Sequence, residues 1–60
     1  MKNLVKFREA KGLSQMDLAR LTGIPQTTLS SYEKNVREPK VKIAKQIAKV
    51  FGCKWYELYE

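Results

Sequence analysis

Between Pro25 and Lys34 the chain reads QTTLSSYE, and most of these side chains are short, uncharged hydrogen-bonding groups. Gln26 carries an amide that both donates and accepts, and Thr27, Thr28, Ser30 and Ser31 carry hydroxyls that do either. Thr and Ser are mediocre helix formers, so a helix wanting only solubility would use Glu and Lys here. Groups of this kind suit recognition better than bond breaking. A Gln amide pairs with the adenine edge through two hydrogen bonds, Ser and Thr serve several bases, and a Thr methyl meets the thymine methyl.

The rest of the chain narrows the chemistry further. It has no histidine, and so lacks the usual neutral-pH acid–base group and the commonest metal ligand. Its one cysteine, Cys53, forms neither an intrachain disulfide nor a zinc cluster, and fits a reducing, cytoplasmic setting with the thiol simply packed. Enzymatic activity is therefore the weakest expectation, and no cofactor, metal or small-molecule ligand is expected. No apolar run approaches the roughly 18 residues needed to cross a bilayer, so no membrane partner is expected.

Charge points to an anionic partner. The net charge is +6, with an isoelectric point near 9.7. It is concentrated: residues 1–33 carry +2, residues 34–54 carry +6 with Glu38 their only acid, and residues 55–60 carry −2. The basic segment begins where the polar stretch ends.

Sixty residues read as one domain spanning 1–60, with a small core, since only about 60% of the unfolded surface is buried at this size. Apolar residues recur at helical spacing. Leu4, Val5 and Phe7 mark a first helix stopped by Gly12. Ser14 followed by Asp17 is a capping-box-like start for a second helix, carrying Leu18, Ala19 and Leu21 and ending near Thr22-Gly23. Pro25 opens a third helix, with Leu29 and Tyr32 facing inward and Asn35 available to close it. Val41, Ala44, Ile47, Ala48 and Phe51 stripe a fourth, ended by Gly52; Lys54 to Leu58 give a final short helix, with Trp55 and Leu58 closing the core. The expected fold is all-α, a compact bundle of five short helices.

The second and third helices are joined only by Thr22 to Pro25, with Gly23 in the corner. A short joint containing glycine holds two helices at a steep angle, as in a helix-turn-helix. The second helix of that motif enters the DNA major groove, and its first residues meet the base edges.

From FREAKGLSQMDLARLTGIPQTTLSSYEKNVREP through IAKVFG, the chain resembles the XRE helix-turn-helix family of Cro and lambda-repressor-like domains. The combination of Gly-Leu-Ser-Gln, Leu-Ala, Gly-Ile, Leu-Ser-x-Tyr-Glu and Arg-Glu-Pro is more specific than any part of it. The resemblance implies that Gln15 contacts phosphate and braces Gln26. Gln26 and Thr27 would read bases first and Ser31 later, with Thr28 and Ser30 at the groove edge. Lys34, Arg37 and Lys40 would meet the backbone or an adjacent minor groove, while Lys42, Lys45 and Lys49 form a solvated face. Arg8 and Glu33 would pair to hold the third helix against the first. Two departures stand out: Pro25 replaces the usual capping Ser or Thr, and Asn35 replaces a usual Gly. The implied function is a repressor binding a palindromic double-stranded operator as a homodimer, with Val50, Tyr56 and Tyr59 as dimer candidates. The competing reading is an antitoxin or protein-interaction module on the same scaffold.

Overall fold

A computed structural model describes residues 1–60. It has no strands, and its elements are α1 (Leu4–Ala10), α2 (Gln15–Thr22), α3 (Gln26–Glu33), α4 (Val41–Phe51) and a 3-10 turn (Trp55–Leu58). The boundaries follow local chemistry. Gly23 and Gly52 end α2 and α4 with φ of 74° and 68°, in the left-handed region where glycine pays no Cβ penalty. Asn35, at φ 59°, is the only other kind of residue to enter that region.

Four α-helices form rather than five. The residues expected to make the fifth close a single 3-10 turn, with Glu57 N–H donating to Lys54 O (3.0 Å) and Tyr59 N–H to Tyr56 O (3.1 Å). Its carbonyls are claimed from outside: Asn3 N–H donates to Leu58 O (2.9 Å) and Asn3 Nδ2 to Glu57 O (3.1 Å). One turn is also below the length at which α-helix propagation repays nucleation.

The core is Met1, Leu4, Leu18, Ile24, Leu29, Tyr32, Ala44, Ile47, Ala48, Phe51 and Leu58. Four of these come from α4, whose apolar stripe faces α2 and the 3-10 turn. Phe7 stacks on Phe51 at 5.8 Å between centroids, joining α1 to α4. Three expected core residues sit elsewhere. Leu21, three residues after the buried Leu18, is 60% exposed. Val41, at the first position of α4, is exposed, and Trp55 is half-buried at the edge of the core, edge-to-face with Tyr56 and Tyr59.

The start of α2 is a complete capping box. Asp17 N–H donates to Ser14 Oγ (3.0 Å), and Ser14 N–H donates to Asp17 Oδ2 (2.9 Å). The Ser14 backbone N–H, then its hydroxyl, hold the Asp17 carboxyl below its ordinary value of 3.8, with help from Arg20. Ser14→Ala is expected to cost about 1 kcal/mol, a fall of about 4–8 °C in Tm by calorimetry. Because the Asp17 value is depressed by folding, its contribution is complete above that ordinary value. It is lost as pH falls through the lower folded-state value.

Candidate nucleic-acid interface

The joint between α2 and α3 is built from three residues. Gly23 turns the chain, Ile24 anchors it at 8% exposure, and Thr22 ties it. The Thr22 hydroxyl donates to Leu18 O (2.7 Å) and accepts from Ile24 N–H (3.2 Å). Pro25, at φ −56°, precedes the first residue of α3 and supplies no side-chain cap, but its carbonyl accepts from Thr28 N–H (3.0 Å) and Leu29 N–H (3.1 Å). The proline thus starts the helix through its fixed φ and its carbonyl, without a hydroxyl.

The two sides of α3 differ. Leu29 is fully buried and Tyr32 is 6% exposed, whereas Gln26 and Thr27 are exposed at the N-terminal end. Thr28, Ser30 and Ser31 are half-buried along the helix. The Ser31 hydroxyl donates back to Thr27 O (3.2 Å), which commits its hydrogen but leaves its oxygen able to accept. Lys34, Arg37 and Lys40 all lie exposed in and around the loop between α3 and α4. The Ser31 carbonyl folds this loop back by accepting from Val36 N–H (3.0 Å) and Arg37 N–H (3.3 Å).

The inner end of α3 is fixed by a polar network around Glu33, whose side chain is 6% exposed. Arg8 Nε donates to Glu33 Oε2 at 2.7 Å and Arg8 Nη2 to Oε1 at 3.4 Å; Arg8 Nη1 also donates to Leu13 O at 2.7 Å. The bond to Glu33 raises the Arg8 guanidinium above its already high ordinary value, against the opposing effect of burial. The third member is Gln15. Its Nε2 donates to Glu33 Oε1 (2.7 Å), and its Oε1 accepts a long bond from Gln26 Nε2 (3.5 Å). One chain of hydrogen bonds therefore runs from α1 through α3 to the first residue of α2 and out to the first residue of α3. With its donor engaged on Glu33, Gln15 turns its carbonyl oxygen toward Gln26 and acts as a link between buried and exposed groups.

Two groups escaped the sequence reading. The Met1 ammonium is enclosed by acceptors from the C-terminal end of α3 and the following loop, and Glu38 is one of them. Glu38 had a signal, as the lone acid in the basic segment 34–54. The ammonium had none, because its partners lie 31 to 37 residues away.

A short glycine-cornered joint, a helix with an exposed polar face and a flanking basic loop together define a helix-turn-helix protein. A family model described as Helix-turn-helix matches residues 4–58, and the chain belongs to that family, in its XRE branch. By class it is a DNA-binding transcription regulator. An uncharacterized HTH-type transcriptional regulator of Methanocaldococcus jannaschii is 38% identical over 60 residues, covering 98% of this chain and 91% of the relative. No helix is long and apolar enough to cross a membrane.

Proposed function

We propose that the protein reads double-stranded operator DNA with the exposed face of α3 and represses transcription as a homodimer occluding a promoter. The observation that carries this reading is the exposure of Gln26 and Thr27 at the N-terminal end of a helix whose other side is fixed by Leu29, Tyr32 and Glu33. In a helix-turn-helix those first residues face the base edges. Gln26 is the adenine reader, its amide oriented by Gln15. Thr27 and Ser31 follow it along the groove, with Thr28 and Ser30 at its edge. Lys34, Arg37 and Lys40 neutralise phosphates beside it, a contribution blind to sequence and sensitive to salt.

One helix of eight residues reads few base pairs, so a second copy supplies the missing length, with half-sites about 34 Å apart. Tyr56, 43% exposed, and the half-buried Val50 are available for that contact. Tyr59 is less so, because its hydroxyl donates to Pro39 O (3.2 Å) and its ring meets Trp55.

Two substitutions separate base reading from phosphate binding. Gln26→Ala should cost about 1–3 kcal/mol on the preferred duplex and relax preference at one base pair. Lys40→Ala should weaken all sequences alike and flatten the slope of log K against log salt by about 1. Titrations of specific and random duplexes across a salt series give both numbers. Identical behaviour of the two variants on the two duplexes would refute the assignment.

A further inference from the structure

Between α2 and α4 lies a hollow whose residues have no part in reading DNA. Its volume is about 440 Å³, and it is lined by Leu21 and Thr22 of α2 and by Gln46, Lys49 and Val50 of α4. Leu21 is 60% exposed and Val50 half-buried, so an aliphatic group stands on each wall. Ile43, half-buried and seven residues before Val50, continues the apolar row on the same side of α4 two turns away. Single exposed apolar residues are ordinary, but these flank one concave surface.

The border of the hollow is basic. Lys45 and Lys42 stand four and seven residues before Lys49 and share its face of α4. All three are exposed, and none pairs with an acid of the chain. α4 itself contains no acid, and the only acid of α2, Asp17, is already held by Ser14 and Arg20. Apolar walls therefore meet an uncompensated positive edge.

We propose that this hollow docks an acidic, amphipathic α-helix of a partner protein. Apolar side chains of the partner enter between Leu21 and Val50, and its carboxylates meet Lys49, Lys45 and Lys42. The seven residues from Lys42 to Lys49 span about 10 Å of helix, a length that acids seven residues apart on the incoming helix match. A strand has no sheet edge to extend in this all-α chain. A small molecule would stay largely exposed in an open hollow with five lining residues. A second copy docked here by two-fold symmetry would bring two sets of three lysines together, and like charges across an interface oppose docking. Duplex DNA would meet the lysines but gain nothing from Leu21 and Val50. No lining residue is assigned to DNA, so partner and duplex do not compete for the same side chains. The assignment takes Val50 for the partner and leaves Tyr56 for contact between copies.

A displayed library of peptides of about 16 residues, long enough to form helix, tests the partner's chemistry. Peptides are selected on the protein and counter-selected on Leu21→Ser, a surface substitution whose fold circular dichroism checks; Leu21→Ala replaces it if the serine variant does not fold. Peptides that bind Leu21→Ser at least about ten-fold more weakly than wild type are expected to be net acidic, with apolar residues at i, i+3 or i+4 and i+7. Lys49→Gln should weaken those peptides at least about five-fold. Lys34→Gln removes the same charge outside the hollow and should weaken them less than about two-fold. The proposal is overturned if no peptide depends on Leu21, or if those that do are neutral or basic. Equal losses from Lys49→Gln and Lys34→Gln also overturn it, because the peptides would then answer bulk charge or the DNA-binding loop.

Amide NMR signals of the isotope-labelled protein test the two other occupants. The signals of Leu21, Lys49 and Val50 are expected to stay in place on dilution and on addition of a random-sequence duplex. Dilution that moves Leu21 and Val50 would give the hollow to a second copy. A duplex that moves Lys42, Lys45 and Lys49 as far as Lys34 and Arg37 would give the lysine edge to DNA. Either movement contradicts the proposal.

Discussion

Glu33→Ala is expected to remove most of the protein's stability at room temperature. The substitution removes the acceptor of Arg8 Nε at 2.7 Å and of Gln15 Nε2 at 2.7 Å. It strands a guanidinium whose side chain is only 14% exposed. Breaking a buried pair from one side costs about 3–5 kcal/mol, because the remaining charge stays desolvated without its partner. A chain of this length has only about 3–9 kcal/mol of total stability, so the loss removes most of it. Glu33→Gln keeps a carbonyl oxygen for one donor and should fall between the two. Combining Arg8→Met with Glu33→Leu should recover much of the loss, since an apolar pair of similar size leaves no unpaired charge. Urea denaturation of the four proteins tests this. A loss under about 1 kcal/mol in Glu33→Ala would show that the network holds nothing.

Leu29→Ala should act as strongly by a different route. Leu29 is fully buried and is the main apolar anchor of α3. Truncation costs the transfer free energy of the lost methyl groups plus the cavity left behind, about 2–5 kcal/mol in total. Thr27→Ala, two positions away but exposed, should change stability by no more than about 0.5 kcal/mol. The contrast between neighbouring residues on one helix is therefore several-fold. Thermal unfolding followed by circular dichroism measures it, and equal melting of the two variants would mean that α3 has been assigned the wrong inner face.

Local punctuation made the helices legible. Ser14 and Asp17 cap each other across three residues, and Gly12, Gly23, Gly52 and Asn35 each take a positive φ. Such signals need no knowledge of the tertiary fold. The inward side of α3 was legible too, because Leu29 and Tyr32 are the only large apolar groups on it. Long-range competition is what the sequence hid. The last two carbonyls of the 3-10 turn, Glu57 O and Leu58 O, are taken by Asn3, more than fifty residues earlier. The brace of Gln15 on Gln26 is expected from the sequence, but the bond from its amide nitrogen to Glu33 of α3 is not. Spacing along α2 cannot reveal a partner eighteen residues away. The Met1 amine is the extreme case, because its contacts with Tyr32, Asn35 and Glu38 exist only once α3 and its loop are folded around it.

The central claim is that the short polar side chains of α3 are there to read base pairs. Selection of duplexes from a random-sequence pool by the purified protein, followed by sequencing of the bound fraction, tests it most directly. The account predicts an enriched two-fold symmetric site, with half-sites separated by about one helical turn of roughly 10 base pairs. A bound fraction as random as the starting pool would contradict it, and would reduce Gln26, Thr27 and their neighbours to ordinary surface groups beside a basic loop.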